Sequence, residues 1–251
     1  LGYNDIRSSS KILGLFKDGD KVEEIKKGDE AILILDKTPF YAESGGQVGD
    51  SGHIQTNSEK FYVRDTIKIK KNVFGHVGIL ESGTLKSNEQ VEAFIDEPRR
   101  NDIKRNHSVT HLLHKALKIV LGNHVEQKGS LVDNLKTRFD FSHAKPISND
   151  EIQQIESIVN NEILTNKVTT TEMMSIDKAK ESGALMLFGE KYDSEVRVLN
   201  IGNSIELCGG THVSNTGDIG LFKIYAETGV ASGVRRIEGV TGLNLIKFLN
   251  D

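Results

Sequence analysis

The sequence predicts an α+β chain in two parts, a small N-terminal β-barrel over residues 1–97 followed by an α/β domain over residues 98–251. Three observations lead there. Between Gly28 and Asp96, short alternating or β-branched runs follow one another with Gly-, Asn- and Ser-containing turns between them. After Pro98 the period becomes helical, with neither proline nor glycine from Arg99 to Leu121. Beyond that helix, short strands and further helices are mixed.

With 37% hydrophobic and 27% charged residues in 251, the balance is that of a soluble globular chain with a sizeable core. No apolar run approaches the roughly 20 residues of a membrane span. The opening "LGYNDIRSSS" also lacks a basic-then-apolar leader pattern. The expectation is a cytoplasmic protein with no membrane partner. A start at leucine suggests a piece of something longer. A net charge of −4 excludes a protein coated in basic charge, so any nucleic-acid surface must be local.

In chain order, "AILILD", "FYVRDTIKIK", "VFGHVGIL" and "QVEAFID" read as barrel strands. Among them lies "TPFYAESGGQVGDSG", where Gly45, Gly46, Gly49 and Gly52 imply a tight backbone path. Its spacing is neither that of a P-loop nor that of a dinucleotide-binding loop, and turn geometry accounts for it. The helix from Arg99 carries Ile103, His107, Thr110, His111 and His114 on one face. Leu113, Leu117 and Val120 form the neighbouring apolar stripe, and Gly122 ends the helix. "KTRFDFSH" alternates Phe139 and Phe141 with Arg138 and Asp140, as a half-buried strand would. "SNDEIQQIESIVNNEIL" is a second helix, with a capping pair at Ser148 and Glu151 and an apolar face of Ile152, Ile155, Val159 and Ile163. "EVRVLNI" and "GLFKIYAE" read as strands, with a short helix near Lys178 to Ser182.

The chain has one cysteine, so an internal disulfide is excluded. Cys208 stands four residues before His212 in a glycine-rich stretch, and His107 and His111 repeat that spacing on the helix. Two donor pairs at i and i+4 suit a tetrahedral Zn²⁺. Histidines at this spacing also occur simply half-buried on amphipathic helices, but a thiol in a loop of small residues has no core to join. His53, His76, His124 and His143 read as surface or turn residues, and His114 as a packing or ligand-bonding one. The single basic cluster is Arg99, Arg100, Lys104 and Arg105, whose charges oppose the helix dipole and so call for an anionic partner. A solvated face paired with Asp96, Glu97 and Asp102 is the other reading of that cluster.

"NHSVTHLLHKAL", "VEQKGSLV", "RFDFSH" and "CGGTHVSNTGDIGLFKI" resemble the editing domain of the alanyl-tRNA synthetases. "TPFYAESGGQVGDSG" is similar to the glycine-rich motif of the barrel before it, and the likeness runs from about residue 29 to 245. The resemblance implies that the second part is an α/β zinc-containing editing domain. Its implied activity is zinc-assisted removal of serine or glycine from mischarged tRNA(Ala), without the charging reaction. It carries the metal ligands over to His107, His111, Cys208 and His212, and the substrate pocket to Thr110 and Gln127, with Cys208 also in the catalytic set. The basic cluster then becomes a candidate for the tRNA backbone, and the rest of a synthetase chain an implied partner. Free-standing relatives that edit the same tRNA share the helix and the CxxxH. The alternative is a non-catalytic tRNA-binding module with a structural zinc, because four protein ligands close a tetrahedral shell. For Thr110 the alternative is a hydroxyl bonded to its own helix carbonyl.

Overall fold

A computed structural model describes residues 2–186 and 193–250 of the chain. Contacts divide it into two compact units. The first holds residues 1–44 and 48–100, and the second holds 45–47 and 101–251. The division after Arg100 lies three residues past the expected boundary at 97. Unexpectedly, the short segment Gly45–Gln47 goes with the second unit.

The first unit runs β1 (Arg7–Lys17), β2 (Asp20–Val22), β3 (Glu24–Lys26), β4 (Glu30–Leu35), β5 (Gly52–Gln55), β6 (Lys60–Lys70), β7 (Val73–Ser82), β8 (Thr84–Lys86) and β9 (Gln90–Ile95). Antiparallel pairing in the order β1-β4-β7-β6-β5-β9 returns to β1 and closes a six-stranded barrel. Closure removes free edges. The inward side is apolar by strand alternation, as with Ala31, Leu33 and Leu35 on β4 and Val91, Ala93 and Ile95 on β9. Sequence periodicity starts the barrel at Gly28, whereas the structure starts it at Arg7. Strand β1 opens with Ser8, Ser9 and Ser10, a run without a strand signal, and is held by its pairing with β9 and β4.

Two polar residues are buried in this unit against expectation. His76 is fully buried on β7 rather than at a surface or turn. Its Nδ1 lies 2.8 Å from the Leu33 carbonyl, which can only accept, so Nδ1 carries the proton. Nε2 then accepts from the Thr38 hydroxyl at 2.7 Å. Burial pushes its pKa down to about 4. Arg100 is 1% exposed, with Nε at 2.9 and 3.0 Å from the Asp50 carboxylate oxygens, and its Nη2 also pairs with Asp50. Nη2 also donates to the Pro39 carbonyl at 3.0 Å and Nη1 to the Tyr3 carbonyl at 3.2 Å. A guanidinium enclosed in this way cannot contact a tRNA backbone, which removes Arg100 from the expected cluster. Arg99 donates to the Gly49 carbonyl at 2.8 Å.

Helix α1 (Glu97–Leu121) carries the chain into the second unit. Pro98 fits its first turn, where no backbone N–H is needed. Then follow β10 (Gln127–Val132), β11 (Thr137–Ser142), α2 (Asn149–Leu164), β12 (Thr170–Ser175), α3 (Ile176–Glu181), β13 (Glu195–Ile201), β14 (Ser204–Leu207), β15 (Phe222–Ala231), β16 (Val234–Thr241) and α4 (Gly242–Asn250). One antiparallel sheet has the order β10-β11-β16-β15 and a smaller one the order β12-β13-β14. Val109, Leu112, Leu113, Ala116 and Leu117 of α1 share a core with Phe139, Phe141, Ile155, Val159 and Ile163. Ser148 and Glu151 form the expected capping box of α2. Among the described residues, no helix is long and apolar enough to cross a membrane.

Candidate metal centre

The apolar stripe of α1 faces the core and so fixes where its histidines lie. His107 and His111, one turn apart, stack with centroids 5.3 Å apart and planes at 22°. The loop after β14 brings Cys208 and His212 to them, with the His212 centroid 4.6 Å from His107 and 5.2 Å from His111. Cys208 Sγ is 3.5 Å from Nε2 of both His107 and His212. One ligand atom from each of the four residues lies within 4.8 Å of all the others.

Local bonds hold that loop in place. Arg197 Nη1 donates to the carbonyls of Cys208 and Gly210, each at 2.9 Å. The Val213 N–H donates to Ser108 Oγ at 3.0 Å, which fastens the loop to α1. The Gly210 N–H points at Cys208 Sγ from 3.4 Å. A Cβ on Gly210 would collide with the His107 ring, so the glycine permits the close approach.

Two acceptors orient the helix histidines. His107 Nδ1 is 2.7 Å from Gln47 Oε1, and His111 Nδ1 is 2.6 Å from Glu206 Oε2. The other Glu206 oxygen meets Ser204 Oγ at 3.0 Å and His114 Nδ1 at 3.2 Å. Among the described residues, His111 Nε2, His114 Nε2 and His212 Nδ1 are buried without a hydrogen-bond partner. Leaving such a nitrogen unsatisfied costs about 1–3 kcal/mol each. A cation among the donors gives the Nε2 lone pair of His111 a partner, and a thiolate with imidazoles is a zinc-type donor set. The four residues therefore fit a metal ion.

Burial pulls the His111 pKa down, but Glu206 and Cys208 outweigh it and push it up to about 10, so a metal ion at this ring takes the place of a proton. Burial pushes the Cys208 thiol up, but His107, His212 and His111 outweigh it and hold the thiol well below its ordinary range, towards the thiolate that binds metal. Burial also raises Glu206, and His111 overrides it to keep the carboxylate ionised.

The other expected site residues are less closely joined to this cluster. The Thr110 hydroxyl donates to the Asn106 carbonyl at 2.8 Å and lies 2.6 Å from Thr137 Oγ1. Gln127 opens β10 half-buried, opposite Phe141. Arg105 pairs with Asp102 at 2.8 Å and donates to the Asp218 carbonyl at 3.1 Å, the solvated-face alternative for that residue. Lys104 is half-exposed one position earlier. His124 and His143 bond each other at 2.9 Å on the exposed side. Sequence reading missed Gln47 and Glu206. A lone glutamine among glycines and an acid two residues before the only cysteine were the available signals.

Two family models match the chain. One, described as tRNA synthetases class II (A), covers residues 1–99. The other, the threonyl and alanyl tRNA synthetase second additional domain, covers residues 196–238 and so includes Cys208 and His212. The alanine–tRNA ligase of Nitrosospira multiformis is 58% identical over 250 residues, 100% of this chain and 29% of that protein. That of Delftia acidovorans is 56% identical over 248 residues, 99% of this chain and 28% of that protein. That of Methylobacillus flagellatus is 58% identical over 241 residues, with 96% and 28% covered. The chain thus spans less than a third of the length of the curated relatives it matches.

Proposed function

We propose that this chain, which belongs to the alanine–tRNA ligase family along its whole length, hydrolyses the ester of tRNA(Ala) mischarged with serine or glycine. The observation that carries the reading is the group of buried His107 and His111 with half-buried Cys208 and His212, whose donor atoms converge and, among the described residues, leave His111 Nε2 without a hydrogen-bond partner. The group has the chemistry of a zinc site, and zinc is the ion proposed. When bound there, zinc supplies Lewis acidity, polarising an ester carbonyl and making a neighbouring water more acidic.

In the reaction, water adds to the aminoacyl carbonyl and the ester C–O bond breaks. The terminal tRNA hydroxyl leaves with a proton, and the amino acid departs as its carboxylate. The chain's own residues hold and select the substrate. Gln127 lies at the start of β10 as a polar group for the aminoacyl end. Thr110 distinguishes serine from alanine through the lone pair its hydroxyl has left after bonding Asn106 and Thr137. Selection against alanine needs such a group, since alanine is smaller and no shape filter excludes it. Arg99, Lys104 and Arg105 remain the candidates for phosphate contact. The rest of a synthetase is the covalent partner and the cytoplasm the location.

Four protein donors close a tetrahedral shell, an observation that favours a purely structural zinc in a tRNA-binding module. One assay separates the two readings. Seryl-tRNA(Ala) is incubated with the chain, with and without a chelator, and beside Cys208→Ala. Hydrolysis that falls roughly 100-fold or more in the folded variant supports the deacylase. Binding with no turnover by the wild type supports the structural reading.

A further inference from the structure

Gln47 is fully buried in the glycine-rich loop, 60 residues before His107, and the hydrolytic reading gives it no task. Backbone contacts place it. The Val132 N–H donates to the Gly46 carbonyl at 2.8 Å, and Gln47 itself pairs with Val132 as an isolated parallel bridge. Gly46 has φ +84°, and a Cβ there would stand 2.5 Å from the Ser130 carbonyl oxygen. Glycine at 46 is what lets the loop lie against β10.

The amide of Gln47 is then fixed in one orientation. The Thr211 N–H can only donate, so the Gln47 atom 2.9 Å from it is the carbonyl Oε1. Its Nε2 donates to Thr211 Oγ1 at 2.9 Å, consistent with that assignment. The same Oε1 lies 2.7 Å from His107 Nδ1, and an acceptor at that place requires the proton on Nδ1. A neutral imidazole has one N–H, so Nε2 is left with a bare lone pair. Nε2 is the atom that lies 3.5 Å from Cys208 Sγ.

We propose that Gln47 is a positioning residue for the metal centre, holding His107 in the Nδ1–H tautomer with Nε2 free to ligate. Through Thr211, the same amide ties the Cys208–His212 loop to the helix ligand, so one side chain aligns donors from both sources. The glycine-rich loop thereby has a use beyond turn geometry. This inference rests on the reading of the four donors as metal ligands, and its test keeps the two apart.

The test uses the 251-residue chain as wild type, Gln47→Met and Gln47→Glu. Glutamate keeps the acceptor and methionine removes it at similar volume. Zn²⁺ affinity is read by competition with a chromophoric chelator, and the His107 tautomer by long-range ¹H–¹⁵N NMR of the metal-free chain. The expected result is a neutral Nδ1–H ring in wild type, and in Gln47→Glu a proton kept on Nδ1 with Zn²⁺ affinity no weaker than that of wild type. Gln47→Met should lose that tautomer preference and bind Zn²⁺ roughly 10- to 100-fold more weakly. Failure of the wild type to bind Zn²⁺ overturns the metal reading itself. Wild-type binding with unchanged affinity in Gln47→Met, or a wild-type His107 protonated at Nε2, overturns the role of Gln47 alone. Should Gln47→Met fail to fold, the wild-type tautomer and the Gln47→Glu affinity decide.

Discussion

In the barrel, the buried imidazole of His76 uses both nitrogens on the chain itself, one on the Leu33 carbonyl and one on the Thr38 hydroxyl. In the second unit, His111 gives Nδ1 to Glu206 and, among the described residues, keeps Nε2 buried without a hydrogen-bond partner. Arg100 extends the contrast, since its guanidinium is taken up by Asp50 and two carbonyls of the barrel. Burial is therefore no guide to the role of a polar side chain. Between these two histidines the difference is that the barrel completes the hydrogen bonds of His76, while among the described residues His111 Nε2 is left without one beside other metal donors.

The largest way to break this contrast is Arg100→Met, which leaves the buried Asp50 carboxylate without its counter-charge and with the Tyr41 N–H as a remaining donor. The loss should be about 3–5 kcal/mol in chemical denaturation, with the salt dependence of tRNA binding unchanged. A flattened salt slope at full stability would instead return Arg100 to a phosphate-binding role.

His76 supplies the next effect, through pH. Its folded pKa is about 4, below the 6.5 of a free imidazole, so the native ring is neutral. Below pH 6.5 the unfolded chain takes up the proton first. The stabilisation is thus complete above 6.5 and disappears as pH falls towards 4, by roughly 3 kcal/mol in total. Urea midpoints at pH 7 and pH 4.5 measure it, and His76→Gln should show a smaller difference between the two. Equal differences in variant and wild type would mean that other groups govern the acid sensitivity.

Thr110→Val comes third. It should lower the ratio of seryl to alanyl ester hydrolysis by about 1–3 kcal/mol, the cost of an unpaired polar group. The change also strands the buried Thr137 hydroxyl, so stability falls whether or not Thr110 reads substrate. An unchanged ratio in a destabilised variant would confine Thr110 to its contacts with Asn106 and Thr137. Smallest is the joint change Lys104→Gln and Arg105→Gln. If each meets a phosphate, the slope of log affinity against log salt falls by about 0.9 per residue, and if neither does it stays as it was.

Local pattern made much of the second unit legible. Helix α1, the capping box at Ser148 and both donor pairs are features of spacing, readable within a few residues. Elements defined by distant partners were hidden. Strand β1 exists through β9 and β4, Arg100 is explained by Asp50, 50 residues earlier, and His76 by Leu33 and Thr38. Gln47 and Glu206 were missed for the same reason, because their bonds to His107 and His111 span 60 and 95 residues. A charge run or a glycine run reports composition, and composition does not say which member turns inward.

The metal centre at His107, His111, Cys208 and His212 is tested most directly by metal analysis joined to a stability measurement. The purified chain should carry about one Zn²⁺, and unfolding with Zn²⁺ at about 100 times its dissociation constant should be roughly 2.7 kcal/mol harder than after chelation. Cys208→Ala should lose most of that difference. A chain that holds no zinc after reconstitution, and unfolds identically with or without it, would contradict the reading of His107, His111, Cys208 and His212 as a metal centre.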